Sequence, residues 1–146
     1  GILLYETLHK FGLASAPQSV SRDDGLRLLD CRITNAVKCL PPANKPLPAE
    51  IRECNKYLTT ELSKLSAGNA ILALGTIAHD AVLMAFGLKK SALRFAHGAQ
   101  HVLPNGAALF DSYHCSRYNT QTRRLTAAMF EAVFTDIAQH LKRVRS

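Results

Sequence analysis

The run Ala70 to Leu74, AILAL, constrains this chain more than any other stretch. Five apolar residues in a row cannot alternate between core and solvent, so both faces of such a strand must be covered. Gly75-Thr76 follows at once, then a helical pattern over 77–86 that closes on Gly87. A doubly covered strand feeding a helix is the repeating unit of a parallel sheet. The fold class expected is α/β: three layers, α/β/α, with a mainly parallel central sheet of about four strands.

The rest of the chain fits that plan. Leu3, Leu4, Leu8 and Phe11 fall near helical spacing, and Gly12 suits a C-cap, which predicts a helix over 1–13. Residues 15–25 read as loop and 26–34 as a strand, with Arg27, Asp30 and Arg32 interrupting its apolar run. A helix is expected over 48–65, with Pro48 in its first turn and Ile51, Cys54, Leu58, Leu62 and Leu65 on one face. Strands are expected over 100–103 and 107–112, separated by Pro104-Asn105-Gly106, a hairpin signal whose pairing the sequence leaves open. Residues 91–97 read as irregular and 116–124 as a polar loop. A final helix is expected over 124–144, where Leu125, Met129, Val133, Ile137 and Leu141 recur every fourth residue. A chain of 146 residues supports one domain, 1–146, with a real core.

In parallel sheets ligands bind at the carboxyl ends of the strands. Three such ends carry polar residues here: Thr34-Asn35, Gly75-Thr76 and Tyr113-His114. They are expected to converge. Two neighbouring stretches carry chemistry. One runs from Ile33 to Cys54, where Pro41-Pro42, Pro46 and Pro48 stiffen a loop holding Asn44, Lys45 and Cys39. The other follows His114 and offers Ser116, Arg117, Tyr118, Asn119, Arg123 and Arg124, nearly all hydrogen-bond donors and three of them arginines. Such a loop suits phosphate contacts and a tip that enters a groove.

Composition points the same way. The net charge of +7 favours a polyanionic partner, nucleic acid first. No run of about 18 apolar residues exists to span a membrane, and no leader pattern opens the chain. A cytoplasmic place, intracellular with the DNA, is expected. Cys31, Cys39, Cys54 and Cys115 form no C-x-x-C pair, so a zinc finger is not readable and disulfides are not the first expectation.

Four segments taken together, CLPPANKPLPAEIREC, ALGTIAHDAVL, FAHGAQHVLP and DSYHCSRYNTQTRRLT, resemble in content and order the family 5 (type B) uracil-DNA glycosylases. The family 4 enzymes are similar around 33–54. The resemblance covers nearly the whole chain. It implies a DNA base-excision repair hydrolase that flips uracil, and in type B relatives often other damaged bases, out of double-stranded DNA and hydrolyses its N-glycosidic bond. It implies a monomer.

By that resemblance His114 is the donor to the departing base and Asn44 a second catalytic residue. Asn35 stands where family 4 reads uracil, although type B members often have Ala there. Ser116, Arg117, Tyr118 and Asn119 match the loop that enters the DNA groove. Arg123 replaces the family's Gly in that loop and adds a candidate phosphate contact. Cys39 and Cys54 match the last two of four ligands to a [4Fe-4S] cluster, and Cys31 and Cys115 match none. Cys31 is expected to face the interior. The family's first two cluster cysteines, its Gly-Leu-Ala-Pro segment and its water-activating Asp match nothing in this chain and are expected before Gly1. Asp111 is the one acidic residue near His114 to weigh as a substitute. The alternative is a non-catalytic DNA-binding remnant, with an interaction domain of coincidental charge as a third reading.

Overall fold

A computed structural model describes residues 2–18, 26–34 and 48–145, the side chains of Pro48, Glu50, Ile51 and Cys54 excepted. The elements in chain order are α1 (Ile2–Lys10), α2 (Pro48–Leu62), β1 (Ala70–Leu74), α3 (Thr76–Ala85), β2 (Gln100–Val102), β3 (Ala108–Ser112), α4 (Arg117–Gln121) and α5 (Ala127–Arg145).

Strand β3 is the centre of the sheet, whose order is β1-β3-β2. It runs parallel to β1, from Ala70 opposite Ala108 to Leu74 opposite Ser112, and antiparallel to β2, with Gln100 opposite Phe110. All five of its residues are buried. Alternation along β3 divides the core. Ala107 and Leu109 pack with Ala73 against Leu58 and Leu62 of α2 and Val82 and Leu83 of α3. Ala108 and Phe110 face Val133 of α5. Beyond them, Phe130 and Phe134 of α5 stack edge to face at 5.1 Å and join Leu8 of α1 and Leu125 in a second cluster. Helices therefore cover both faces, and the three-layer α/β/α reading holds.

The expected fourth strand, over 26–34, is not one. Among the described residues its only ladder contact is an isolated antiparallel bridge between Ala14 and Leu28, flanked by Ser15 N–H donating to Arg27 O and Leu29 N–H to Leu13 O. Asp30 takes a left-handed conformation, φ 53°. That turns the chain out of extended geometry where Arg27, Asp30 and Arg32 had already interrupted the apolar run. Among the described residues the sheet has three strands and is mixed. The hairpin question is settled by β2 and β3. Gly106, at φ 88°, closes the turn, and Asn105 anchors it by donating to Leu65 O at 3.1 Å and accepting from Ala107 N–H at 3.0 Å.

The last helix begins at Ala127, later than the spacing predicts, because Thr126 caps it: its Oγ1 accepts from Met129 N–H at 3.1 Å. Residues 117–121, read as loop, close into the single turn and a half of α4.

Candidate active site at the carboxyl end of the central strand

Two of the three strand ends meet. Gly75 N–H donates to Ser112 O at 2.8 Å, which draws the start of α3 onto the exit of β3. Gly75 holds φ 95°, a conformation that side chains rarely adopt, and a Cβ there would touch the Cβ of His114 at 3.4 Å. Thr34, at the third strand end, is exposed, and its neighbour Asn35 lies outside the described residues, as do Asn44 and Cys39.

Tyr113 fixes the approach to His114. Its N–H donates to His97 Nδ1 at 3.1 Å, and its ring stacks on that imidazole at 4.9 Å with 25° between planes. The Arg124 guanidinium lies over the same ring, 4.8 Å from its centre. His114 itself is exposed. Its carbonyl accepts from Asn119 Nδ2 at 2.9 Å.

The loop beyond is a folded staple. Ser116 caps α4, its Oγ accepting from Asn119 N–H at 3.2 Å. Leu125 N–H donates to Asn119 O at 3.1 Å, and Leu125 is buried. The side chains of Ser116 and Asn119, read from sequence as groove contacts, are thus engaged in holding the loop and His114 together. Arg117, Tyr118 and Arg123 are the outward members, Tyr118 with 73% of its surface exposed.

Arg123 carries a cost of its own. It sits at φ 60° just past the end of α4, the place where Gly ordinarily closes a helix. A left-handed residue with a side chain costs roughly 1–2 kcal/mol, and Gly in the unfolded chain returns up to about 1 of that in entropy. Arg123→Gly is therefore expected to stabilise the fold by about 0.5–1 kcal/mol in urea melts. A loss of stability would refute the strain account.

A cavity of about 670 Å³ opens beside this loop, between Ile2, Leu3 and Glu6 of α1 and Cys115, Arg117 and Arg123. His114 does not line it. Cys115 is buried with Leu125 and Phe130, and desolvation raises its pKa above the usual thiol range. The folded state therefore favours the protonated thiol. Stability should be flat below that range and fall as pH rises through it, since the unfolded chain releases its proton first. Equilibrium unfolding at stepped alkaline pH, with Cys115→Ala as the flatter comparison, checks this. Cys31 is likewise raised by burial, and its thiol donates to Leu13 O at 3.4 Å, so it faces inward as expected.

Two cysteines are thereby absorbed by the fold as free thiols. Of the two proposed cluster ligands, Cys54 lies in α2 by its backbone and Cys39 lies outside the described residues.

Asp111 does not fit a water-activating role. It is fully buried, with one carboxylate oxygen 2.7 Å from His79 Nδ1 and the other 2.8 Å from His101 Nε2. Neither His79 nor His101 stands out in the sequence. The usable signal was parity: Asp111 shares the inward face of β3 with Ala107 and Leu109 and so needs a buried partner.

The family model described as the Uracil DNA glycosylase superfamily matches residues 1–138. The chain belongs to that superfamily. It is 49% identical over 136 residues to the type-5 uracil-DNA glycosylase of Thermus thermophilus, covering 93% of this chain and 62% of the relative. The type-5 enzyme of Mycobacterium tuberculosis is 40% identical over 138 residues, 93% of this chain and 52% of its own length. A type-4 uracil-DNA glycosylase of Archaeoglobus fulgidus is 39% identical over 66 residues, 44% of this chain and 33% of its own. The chain thus spans between half and two thirds of the length of its type-5 relatives. Among the described residues no helix is long and apolar enough to cross a membrane.

Proposed function

We propose that the protein acts as a DNA-repair glycosylase, hydrolysing the bond between deoxyribose and a uracil flipped out of double-stranded DNA, with other deaminated bases as a second substrate class. The observation that carries this reading is the placement of His114. It stands exposed where the central strand ends, its carbonyl held by Asn119 and its Cβ beside Gly75, next to a loop bearing exposed Arg117, Tyr118 and Arg123.

The chemistry follows from charge. As the C1′–N1 bond breaks, its electron pair leaves with uracil and the sugar becomes oxocarbenium-like. Water adds its hydroxyl to C1′, and its proton ends on the base. A fixed N–H from His114 toward the uracil oxygen opposes the charge that develops there. Asn44 and Asn35 each offer an amide with donor and acceptor, the complement of a uracil edge. Arg117 and Arg123 answer phosphates, and Tyr118 is the apolar wedge at the loop tip. A [4Fe-4S] cluster belongs to the same proposal, with Cys39 and Cys54 as two of the four thiolates that would hold it. It is supported by Cys31 and Cys115 standing elsewhere in the fold as free thiols. The protein works as a monomer.

The test is a glycosylase assay. The natural full-length protein is mixed with a labelled duplex containing one uracil, and abasic sites are cleaved with alkali. Cutting supports the reading. Binding without cutting favours the non-catalytic remnant.

A further inference from the structure

Beneath His114 lies a polar cluster that the proposed chemistry does not use. His79 of α3, Asp111 of β3 and His101 of β2 tie three elements together in the core, with His79 and Asp111 at 1% and 0% exposure. His79 Nε2 lies 2.6 Å from Leu93 O. A carbonyl only accepts, so that nitrogen carries the hydrogen. Its Nδ1 then faces Asp111 Oδ1 at 2.7 Å, and two bare acceptors at that separation would repel. Something positive must lie between them.

Distance decides what. Nitrogen and oxygen ligands about 2.0–2.1 Å from a tetrahedral zinc stand roughly 3.3 Å apart. The contacts here, 2.7 and 2.8 Å, are hydrogen-bond lengths. The bridging group is a proton, shared by a buried carboxylate and an imidazole, with His101 Nε2–H donating to the second oxygen. A buried carboxylate satisfied in this way resists displacement, because breaking one partner leaves a desolvated charge.

Position gives the cluster its use. Asp111 is three residues before His114. Its backbone N–H donates to Ala99 O, and its carbonyl accepts from Gly98 N–H. His79 N–H donates to Gly75 O in the first turn of α3, and Gly75 meets both Ser112 O and the His114 side chain. Phe95 packs between the His79 and Tyr113 rings, 5.7 Å from one and 6.2 Å from the other. The start of α3 and the exit of β3 are thus locked from below by one shared proton. We infer that Asp111, bridging His79 and His101, is a positioning residue for His114, holding the strand end at the geometry the departing base requires. The inference rests on His114 acting as proposed above.

A double-mutant cycle on the natural full-length protein tests it, with single-turnover excision and DNA binding as readouts. Asp111→Asn is nearly isosteric and should slow excision roughly 10- to 100-fold, the scale of a small misplacement of a catalytic group. DNA affinity should not change. In a His114→Ala background the same substitution should cost nothing further, since it acts only through His114. A loss that adds in full overturns the inference. Should Asp111→Asn fail to fold, His101→Gln takes its place with the same expectations.

A parent protein that never excises uracil sinks the glycosylase reading alone. Positioning is then judged by hydrogen exchange of the amides at 112–115. These should exchange faster in Asp111→Asn than in Val133→Ala, a core variant of α5 that lowers stability from the other face of the sheet. Equal exchange overturns the inference. So does a zinc-dependent rise in melting temperature that Asp111→Asn abolishes, which would make the cluster a metal site.

Discussion

Replacing His114 by alanine is expected to slow uracil excision by about 10²–10³-fold while leaving the affinity for uracil-containing duplex nearly unchanged. The size follows from the role proposed for the residue. A single preorganised donor aimed at developing charge contributes about 2.7–4 kcal/mol once the bound duplex has excluded water from it. The bound base before cleavage carries little charge on its oxygens, so the ground state gains less from the same N–H. The effect should therefore fall on the rate of the chemical step rather than on binding. Single-turnover rates at saturating enzyme, with binding measured separately by titration, divide the two. Equal losses in both would mean that His114 recognises the base in the ground state. No loss in either would remove it from the chemistry. The fold should survive, because the side chain is exposed and what holds this corner of the backbone is its carbonyl, accepting from Asn119.

Much of this site is legible without coordinates, and the reasons are local. AILAL predicts its own strand to the residue, because a run buried on both faces admits few alternatives. The junction of Gly75 with His114 follows from the rule that parallel strand ends gather at one edge. What the sequence does not reveal shares a different cause. The expected strand over 26–34 is lost at Asp30, whose left-handed backbone no periodicity reveals. Asn119 reads as a DNA contact because a polar side chain in a basic loop looks available. Its engagement with His114 O depends on α4 folding the chain back by five residues. Asp111 reads as a spare carboxylate near the site, while its two imidazole partners come from 32 and 10 residues away. Charge and composition are visible along a chain. Whether a polar group is already satisfied is a property of the packed state.

The basic loop gives the second large effect. Arg117→Gln combined with Arg123→Gln should flatten the salt dependence of DNA binding by about 1.8 in the slope of log K against log salt, at about 0.9 for each phosphate no longer neutralised. Between 50 and 200 mM salt the parent should then lose about tenfold more affinity than the variant, so the two converge as salt rises. Uracil-containing and undamaged duplex should be affected alike, because phosphate contacts carry no base information. Arg124 is left out of this pair for a structural reason. Its guanidinium lies 4.8 Å from the Tyr113 ring centre, so neutralising it would also remove a cation–π interaction of about 0.5–1 kcal/mol beside the catalytic strand end. Arg124→Gln should consequently slow excision as well as weaken binding, whereas the Arg117 and Arg123 pair should leave the saturated rate near that of the parent. A salt slope unchanged in the double variant would show that the duplex lies on another face, and that the left-handed arginine at 123 is retained for something other than DNA.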